Sequence, residues 1–531
     1  MTAQSTYGNG KITTHTEFTY DGFGNVITEK IEKEPGQWVT TRFEYDAEYK
    51  GAYLTAVISE DVKDADGYTH DIKTSSTYNL STGNTLTATD GNGNISSYEY
   101  DALDRVTKET NPDNSFRTYK YDDLNNIMEA VNANHSRLIY NYDGLGNLIN
   151  VVEPQKNTVL VEMEYDENEN PISEKDANQN LKKLAYDAQT RITGVANYDT
   201  AGRLMSDTRV SYDEAFKDRF STYFKVAVTK KGDNQDRVSN YYFDTYERLA
   251  KLGRINGTKE ELARTGYDYL GNQVETTSFA GQTSTFRYDA LSRLVKSTDA
   301  QGSSTKYQYD RLGNMIAQTD ALGRTVYTEY DKLGRQTVVK APFESGKFSI
   351  SKYYFDNNSN LVKTVDPEGY AAKQYFTNRN FLSAVERVIN SKESNITKYE
   401  YDLEGNTTKV IKGLNSWTDP DFSTYTYKYN NLNQLITMLD ASSRKTTYEY
   451  DDNGNLVNLT DRNKISTIYT YDGLNRLVEK RNTKDGKKNA VKLTFDKLGQ
   501  TRQMADASGT TIFNYDTLGR LTTINYGNGI R

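Results

Sequence analysis

Tyr267-Asp268-Tyr269-Leu270-Gly271-Asn272 is the first of four near-copies of one unit whose Tyr-Asp pairs all lie within residues 265–331. The other copies are Tyr288-Asp289-Ala290-Leu291-Ser292-Arg293, Tyr309-Asp310-Arg311-Leu312-Gly313-Asn314 and Tyr330-Asp331-Lys332-Leu333-Gly334-Arg335. The leading tyrosines, at positions 267, 288, 309 and 330, are 21 residues apart in each case. A fixed period of this size is typical of a repeat architecture.

The copy 294–314 shows what one period predicts. It begins with a short β-prone run, continues with a turn that contains Gly302, and returns through residues 304–309, where threonine and aromatic residues alternate with polar ones. This order predicts a strand, a turn and a returning strand. In the turn that follows, Gly313 can take a positive φ and Asp310 can accept hydrogen bonds from backbone N–H groups. One period is therefore one β-hairpin with its link to the next.

The returning strand indicates why tyrosine is the repeated residue. Thr305, Tyr307 and Tyr309 are two positions apart and share one face, while Lys306 and Gln308 lie on the other. A tyrosine ring can pack on cross-strand neighbours while its hydroxyl reaches water or a backbone partner. We therefore interpret the repeated Tyr-Asp pair as architecture and not as catalytic machinery.

Heads of this kind recur along the whole chain, in about 22 copies. We expect a single array of repeats over residues 1–531, less regular at 196–266. The residues to which we assign a structural role in the repeat are Tyr100, Asp101, Tyr121, Asp122, Tyr142, Asp143, Gly146, Tyr267, Asp268, Gly271, Tyr288, Asp289, Tyr309, Asp310, Gly313, Tyr330, Asp331, Gly334, Tyr450, Asp451, Gly454, Tyr471, Asp472, Tyr515, Asp516 and Gly519.

The pattern Tyr-Asp-x-x-Gly-Asn/Arg-Leu, followed by a Thr-Asp-x-x-Gly turn and a Tyr-x-Tyr-Asp return, resembles the tyrosine-aspartate (YD) repeats of bacterial Rhs and wall-associated polymorphic toxins. The same repeats occur in the B and C components of insecticidal toxin complexes and in animal teneurins. The resemblance covers nearly the whole chain, and it implies a β-hairpin ribbon that winds into a spiral around a chamber. The chain contains no cysteine, which favours the bacterial branch over a disulfide-bearing animal ectodomain.

The predicted fold class is all-β: antiparallel β-hairpin repeats wound as a spiral, hollow shell or part of one. About 22 copies give about 44 strands, and at about 4.8 Å per strand the sheet is on the order of 210 Å wide. Such a sheet must coil, split or close, because its twist accumulates. A lumen of that circumference is wider than side chains can fill. Because the chain begins and ends at the same phase of the repeat, we expect a fragment of a longer chain.

Composition fits a ladder of strands better than a thick core. Only 35% of the residues are hydrophobic, tyrosine supplies 43 residues, and the formal net charge is −8. No window approaches the roughly 18 apolar residues of a transmembrane helix. The N-terminus has no feature of a secretory signal. We expect a secreted or cell-surface bacterial protein whose export signal is not present in this chain.

No constellation of residues predicts chemistry. His15, His70 and His135 lie in different repeats, so a zinc site or a histidine-dependent triad is not expected. Residues 90–94 resemble a calcium loop, but their place between two strands favours a hairpin turn. We nominate no catalytic, cofactor-binding or metal-binding residue. Basic residues are dispersed among acidic ones, so nucleic-acid binding is not expected.

One motif needs a separate interpretation. Toxin-bearing relatives often end their shell with an Asp-Pro-x-Gly-Leu sequence, where an aspartate-dependent self-cleavage releases the C-terminal cargo. Asp366-Pro367-Glu368-Gly369-Tyr370 matches the first four positions, but Tyr370 departs from the leucine and further repeats follow. We interpret it as an ordinary turn.

Where the repeat lengthens, we expect protruding loops. The two clearest are residues 343–347 and 415–421, and their aromatic residues Phe343 and Trp417 are candidates for contact with a partner. Residues 214–220, in the less regular part, could form either a helical turn or a decorated hairpin.

Two functions compete. The first is a structural shell that encapsulates or presents a C-terminal toxin, with the rest of the parent shell and its cargo, or a second shell subunit, as partner. The second is a repeat module that binds a glycan or another cell-surface receptor through its tyrosine-rich faces and the two loops.

Overall fold

The computed structural model describes residues 2–8, 11–48, 50–219, 221–344, 346–390, 393–417, 422–484 and 489–527. Within these ranges the regular structure consists of 45 β-strands, without an α-helix. The predicted all-β fold class is therefore confirmed, and the strand number is close to the one expected from the repeat count.

The strands follow one another with short turns between them. In chain order they are β1 (Thr2–Gly8), β2 (Lys11–Tyr20), β3 (Val26–Glu34), β4 (Gln37–Tyr45), β5 (Leu54–Lys63), β6 (Thr69–Tyr78), β7 (Thr85–Thr89), β8 (Ile95–Tyr100), β9 (Val106–Thr110), β10 (Phe116–Asp122), β11 (Ile127–Val131), β12 (Arg137–Tyr142), β13 (Leu148–Glu153), β14 (Thr158–Tyr165), β15 (Pro171–Asp176), β16 (Leu181–Tyr186), β17 (Ile192–Tyr198), β18 (Leu204–Lys217), β19 (Thr222–Lys230), β20 (Arg237–Phe243), β21 (Leu249–Asn256), β22 (Lys259–Tyr267) and β23 (Gln273–Thr277). They continue with β24 (Thr283–Tyr288), β25 (Leu294–Thr298), β26 (Ser304–Tyr309), β27 (Met315–Thr319), β28 (Thr325–Tyr330), β29 (Gln336–Glu344), β30 (Lys347–Phe355), β31 (Leu361–Val365), β32 (Ala371–Phe376), β33 (Leu382–Val388), β34 (Ser394–Tyr401), β35 (Thr407–Leu414), β36 (Ser423–Tyr429), β37 (Leu435–Leu439), β38 (Lys445–Tyr450), β39 (Leu456–Thr460), β40 (Ser466–Tyr471), β41 (Leu477–Asn482), β42 (Val491–Phe495), β43 (Thr501–Asp506), β44 (Gly509–Tyr515) and β45 (Leu521–Asn525).

Successive strands pair antiparallel, as β25 does with β26 and β26 with β27. The register shifts at the repeated tyrosine. Gln308 is opposite Ala317, but Tyr309 is opposite Met315, so one residue of β27 is skipped. The same shift occurs at the equivalent tyrosines of β24 and β28. A bulge of this kind increases the local twist, which suits a ribbon that must coil.

The two faces of the ribbon differ as predicted, but neither is a thick core. In β26, Thr305, Tyr307 and Tyr309 are half-buried, whereas the side chains between them are exposed. The largest fully buried side chains of the described residues are Ile396, Glu153 and Val62. Stability must therefore come mainly from links between neighbouring strands.

The chain divides into two compact units. Unit 1 comprises Met1–Tyr119, Tyr267–Glu275 and Thr283–Thr424, and unit 2 comprises Lys120–Gly266, Thr276–Gln282 and Tyr425–Arg531. Within each unit, ribbon stretches that are 261 to 297 residues apart in sequence lie side by side and exchange hydrogen bonds. A wound ribbon gives this arrangement, so the predicted winding is present in each unit.

The lengthened repeats form long hairpins. Of the two forms open to residues 214–220, the described part has the hairpin, since the 14-residue β18 pairs with β19; residue 220 lies outside the described residues. Phe343 lies in β29 of another long hairpin. Residues 345 and 418–421 of the two expected loops lie outside the described residues.

Candidate functional site

The repeated tyrosine links the two strands of each hairpin. Tyr309 Oη donates to Leu294 O (2.8 Å), and Tyr330 Oη donates to Met315 O (3.1 Å). In every case the acceptor is the first residue of the strand immediately before the one that contains the tyrosine. The tyrosines that make this bond are Tyr45, Tyr78, Tyr100, Tyr165, Tyr186, Tyr212, Tyr288, Tyr309, Tyr330, Tyr401, Tyr450, Tyr471 and Tyr515. Phenylalanine could fill the same space, but it could not donate this bond.

The repeated aspartate closes each turn. Asp320 Oδ1 accepts from the backbone N–H groups of Leu322 and Arg324 (2.9 Å each), and its Oδ2 accepts from Arg324 Nε (2.7 Å). The bonds from Arg324, the side chain first, hold the pKa of Asp320 below its usual value. Asn147 Nδ2 likewise donates to Asp143 Oδ2, and this bond lowers the pKa of Asp143. A turn of five residues, Asp-x-x-x-Arg/Asn, is thus a self-contained capped unit.

The five-residue turns alternate between the two edges of the ribbon. We call the edge with turns 166–170, 187–191, 356–360 and 451–455 the Tyr rim. We call the edge with turns 90–94, 176–180, 199–203 and 461–465 the Thr rim. Although Tyr198-Asp199 reads as a Tyr-Asp head in the sequence, it lies on the Thr rim, since its turn follows 187–191 by one strand.

In unit 1 the Thr rim of the first stretch meets the Tyr rim of the later stretch through Asn92 and Asn358. Asn92 Nδ2 donates to Asp356 Oδ2 (2.9 Å), and Asn358 Nδ2 donates to Asp90 Oδ2 (2.6 Å). The backbone N–H of Asn92 donates to Asn358 Oδ1 (3.1 Å). Asn358 Nδ2 also donates to Asn380 Oδ1 on the next turn (2.9 Å). Two Asp-x-Asn sequences therefore bind each other reciprocally, and we call this arrangement the clasp.

Unit 2 contains the same four bonds. Asn178 Nδ2 donates to Asp451 Oδ2 (2.9 Å), and Asn453 Nδ2 donates to Asp176 Oδ2 (2.7 Å). The backbone N–H of Asn178 donates to Asn453 Oδ1 (2.9 Å), and Asn453 Nδ2 also donates to Asn475 Oδ1 (3.0 Å). The recurrence in a second, independent pair of ribbon stretches shows that the clasp is a device of the fold and not an accident of one contact.

Charged and hydroxyl groups extend both seams. In unit 1, Arg117 Nη2 lies 2.8 Å from Glu404 Oε2, and the Glu404 side chain is only 5% exposed. In unit 2, Thr517 Oγ1 donates to Asn256 Oδ1 (2.9 Å). These contacts add to the amide and carboxylate bonds of the clasp in each seam.

The two candidate partner residues lie in different surroundings. The Trp417 ring is 45% exposed, stands edge to face with Tyr375 at 5.1 Å and has Lys398 Nζ 4.9 Å from its centroid. Tyr375 Oη donates to Glu386 Oε2 (2.7 Å), and burial followed by this bond raises the pKa of Tyr375 to about 12. Phe343 is 64% exposed on its long hairpin. A role of either residue in partner binding stays a prediction.

The remaining sequence candidates do not converge on chemistry. His70 Nε2 hydrogen bonds with Asn357 Oδ1 (3.0 Å) in the seam of unit 1, and His15 stands against the Trp38 ring at 5.4 Å. Among the described residues, no group of three or more His, Cys, Asp and Glu side chains is placed to hold a metal ion. In the same residues, no helix is long and apolar enough to cross a membrane.

Two motifs that resemble functional sequences form ordinary turns. Residues 366–370 close like their neighbours, since Asp366 N donates to Tyr370 O (3.0 Å) and Tyr370 N donates to Asp366 Oδ1 (2.8 Å). Residues 90–94 form the Thr-rim half of the clasp.

An open cleft of about 800 Å³ in unit 1 is lined by Lys33 and Asp66, whose polar groups bond across the seam to Tyr330 O and Lys352 Nζ.

Sequence reasoning missed the clasp. Its signal is present in the sequence, because each half is an Asp-x-Asn within a turn. The two halves are far apart, however: 266 residues separate 90–92 from 356–358, and 275 residues separate 176–178 from 451–453. No local rule pairs turns at that distance.

Comparisons with known proteins agree with this architecture. The family model described as RHS Repeat matches residues 78–118, 267–304, 288–325 and 309–343, and the one described as Teneurin YD-shell matches residues 378–530. No curated protein matches the sequence. Among solved structures, the crystal structure of TcdB2-TccC3 is similar to this chain at 12% identity and a TM-score of 0.62, over 97% of this chain and 34% of that one.

Two further structures match with lower scores. The crystal structure of TcdB2-TccC3-Cdc42 has 12% identity and a TM-score of 0.43, over 96% of this chain and 34% of that one. The Tc holotoxin pore of Photorhabdus luminescens has 11% identity and a TM-score of 0.39, over 98% and 34%. The chain spans about a third of the length of the chains that it matches. At these identities, the TcdB2-TccC3 match shows a shared fold.

Proposed function

The chain belongs to the Rhs/YD-repeat family, and from this premise we propose that it is part of a β-hairpin wall that encloses a protein cargo. The cargo would be a toxic segment that follows the repeats in the complete protein. The wall would keep this segment apart from the bacterium that makes it. Further repeats of the same protein, or a second shell subunit, would complete the enclosure, and the assembly would be exported.

The clasp is the observation that carries this proposal. A wall of wound ribbon retains a protein only if adjacent stretches are sealed to each other. In both units the stretches are joined by reciprocal hydrogen bonds of 2.6 to 3.1 Å. The scarcity of fully buried side chains among the described residues supports the same proposal, since a ribbon without a thick core of its own suits a hollow structure.

Electron microscopy of the purified chain, with the particle mass measured alongside, tests the proposal. We expect a hollow or crescent-shaped β-wall. A filled rod with both edges covered would contradict containment and would favour a binding module.

A pair of glycine variants tests the seam by electron microscopy and by hydrogen exchange. A Cβ added at Gly91 would lie 2.4 Å from Asn357 O, so Gly91→Ala should open the unit 1 seam and raise hydrogen exchange at residues 90–94 and 356–360 about tenfold or more. Gly144 occupies the second position of a turn too, and nothing lies within 4 Å of its added Cβ. Gly144→Ala should therefore leave wall and exchange unchanged. Equal exchange in the two variants would contradict the sealing role of the clasp.

Glycan binding is the second candidate, because the half-exposed Trp417 ring stands against Tyr375. Aromatic rings of this kind stack on sugars, but Lys398 Nζ lies over the Trp417 ring and would have to move. Binding to a glycan array that disappears in Trp417→Ala would support this function. If the wild-type chain bound no glycan on the array, containment would remain the better supported of the two functions.

A further inference from the structure

Every described Asn-Gly dipeptide lies at a seam. The sequence contains five such dipeptides, of which 9–10 and 528–529 lie outside the described residues. In the described part, Asn92-Gly93 and Asn453-Gly454 belong to the two clasps. Asn256-Gly257 lies at the seam of unit 2, where Asn256 Oδ1 accepts from Thr517 Oγ1 (2.9 Å). Each of the three asparagines therefore bonds to a different stretch of the ribbon.

Asn-Gly is the asparagine sequence most prone to deamidation, because glycine has no Cβ to shield its backbone nitrogen. The glycine nitrogen attacks the asparagine Cγ, and a Cγ–N bond forms. The Cγ–Nδ2 bond breaks, and Nδ2 leaves as ammonia with the proton that the glycine nitrogen gives up. Water then opens the succinimide ring to aspartate or to isoaspartate. The reaction therefore needs no reactant other than water.

In the closed clasp of unit 1, both reacting groups are held by hydrogen bonds. Asn92 Nδ2 donates to Asp356 Oδ2 (2.9 Å), and Asn92 Oδ1 accepts from Asn357 N (3.1 Å). Gly93 N donates to Asp90 O (3.0 Å). Because deamidation removes Nδ2 and uses the nitrogen of Gly93, each of these bonds opposes the reaction while the seam is closed.

The clasp of unit 2 holds its Asn-Gly dipeptide in the same way. Asn453 Nδ2 donates to Asp176 Oδ2 (2.7 Å), and Asn453 Oδ1 accepts from Asn178 N (2.9 Å). Gly454 N donates to Asp451 O (3.0 Å). Protection of the dipeptide is therefore a property of the clasp and not of one turn.

Each clasp joins one Asn-Gly half to one half in which another residue follows the asparagine. The latter halves contain Asn358-Ser359 in unit 1 and Asn178-Gln179 in unit 2. Ser359 has a φ of 66° and Gln179 one of 65°, so the fourth position of these turns does not require glycine. Each clasp therefore has one asparagine that deamidates readily and one that resists deamidation.

Deamidation would reverse the electrostatics of each of these contacts. The amide nitrogen that is lost donates to a carboxylate in all three cases: to Asp356, to Asp176 and, from Asn256 Nδ2, to Glu261 Oε1 (2.9 Å). The product places a second carboxylate at the same position, where like charges repel. An isoaspartate also adds a carbon atom to the main chain of the turn. A deamidated half therefore cannot remake its bond.

We propose that Asn92-Gly93 and Asn453-Gly454 are deamidation sites that the seam controls. The closed clasp protects them, and an opened seam deamidates and does not close again. The two dipeptides thus make opening of the seam a one-way event. The proposal concerns the chemistry of the seam alone, and it stands whether or not the wall holds a cargo.

Peptide mass spectrometry of the full chain, incubated at mildly alkaline pH, tests the protection. We expect Asn92 and Asn453 to convert at least about tenfold more slowly in the folded chain than in urea. Asn358→Ala removes the facing half of the unit 1 clasp and leaves residues 90–94 intact, so conversion of Asn92 should rise about tenfold. Asn453, in the same molecule, should keep its wild-type rate. Gly91→Ala should accelerate Asn92 from the other side of the seam.

Two results would overturn the protection by the clasp. One is conversion of Asn92 as fast in the folded wild-type chain as in urea. The other is conversion of Asn92 at the wild-type rate in both Asn358→Ala and Gly91→Ala.

Hydrogen exchange tests the one-way opening. Asn92→Asp reproduces one product and should raise exchange at residues 356–360 about tenfold. Gln301→Glu makes the same amide-to-acid change at an exposed turn position and should leave exchange at 356–360 unchanged. Gly93→Ser, which copies Ser359, should slow conversion of Asn92 in urea and keep the seam closed. Wild-type exchange at 356–360 in Asn92→Asp would overturn the one-way opening.

Discussion

The regular block 283–335 and the less regular block 204–266 are built from the same hairpins but are held together differently. In the regular block, tyrosine hydroxyls link the two strands of each hairpin, and the tyrosine rings stay half-buried. In the less regular block, Phe243 stands at the end of β20, and the preceding residue, Tyr242, is only 3% exposed. Where the linking hydroxyl is missing, a buried cluster takes its place.

The cluster of block 204–266 is centred on Glu260. Tyr242 Oη donates to Glu260 Oε1 (2.8 Å), and Asn240 Nδ2 donates to the same oxygen (2.6 Å). Tyr223 stands edge to face with Tyr242 at 6.0 Å, and Lys251 Nζ lies 4.2 Å from the Tyr223 ring. Burial, followed by the bond to Glu260, raises the pKa of Tyr242. Links in the regular block should add up one by one, whereas this network should fail as a whole.

Tyr242→Phe should therefore produce the largest effect. It removes a donor from a carboxylate in a partly buried network, and a hydrogen bond to a charged group contributes about 2 kcal/mol. We expect native-state hydrogen exchange of β20, β21 and β22 to show that loss. Tyr241→Phe is the control, because the Tyr241 hydroxyl has no hydrogen-bond partner among the described residues. Exchange that rises only at Tyr242 itself would contradict a shared network.

Tyr309→Phe makes the matched change in the regular block. One neutral hydroxyl-to-carbonyl bond is lost, so the free energy of local opening should fall by about 1 kcal/mol. The loss should be confined to β25 and β26, which hydrogen exchange resolves. Tyr327→Phe, at an exposed ring on β28, should have almost no effect. A loss as large as that of Tyr242→Phe would remove the distinction between the two blocks.

The regular block could be predicted almost completely from the sequence, and the reason is physical. A strand, an aspartate-capped turn and a returning strand are all specified within one 21-residue period, as at Tyr309 and Asp310. Two features of the same hairpins could not be read in this way. The register shift at Tyr309 depends on how two strands fit, and the backbone acceptor of its hydroxyl is Leu294, the first residue of the same hairpin.

The seam and the buried cluster could not be predicted from the sequence. The winding of the ribbon brings the residues of the seam together, and the pairing of long strands brings the residues of the cluster together. The Asn92 to Asn358 bonds span 266 residues of sequence, and nothing near either asparagine selects the other. In the sequence, Glu260 looks like one more exposed carboxylate on a strand. Its role becomes visible only in the structure, where β20 and β22 lie on either side of β21. Tyr198-Asp199 shows the converse, since a Tyr-Asp pair that looks like the other repeat heads lies on the opposite rim from them.

Turn residues sharpen the comparison at a smaller scale. The fourth position of a turn has a positive φ, 60° at Thr190 beside the less regular block and 59° at Ser292 in the regular one. A β-branched residue is strained there, and glycine is not. Thr190→Gly should raise stability by about 0.5 kcal/mol after the entropy cost of glycine, and Ser292→Gly by less. Thermal unfolding measures both. Gly313→Thr, the reverse change at a φ of 92°, should destabilise.

Acid should reveal the smallest difference between the blocks, because capped turns are common to both. The bonds from Arg324 lower the pKa of Asp320 in the regular block. Burial works to raise the pKa of Asp244 in the other block, and the bonds that it accepts from Arg248 outweigh burial and lower it. A lowered pKa in the folded state stabilises above the unfolded value of about 4, and this stabilisation is lost as the pH falls through the folded value.

Hydrogen exchange of the two blocks between pH 5 and pH 2 should therefore rise in parallel, after correction for the intrinsic exchange rate. Asp320→Asn removes the titrating group and should flatten the response of β27 and β28 alone. If block 204–266 kept its protection at a pH where block 283–335 had lost it, the buried cluster and not the aspartate-capped turn would control acid stability there. The two blocks would then differ in how their turns are held as well as in how their strands are linked.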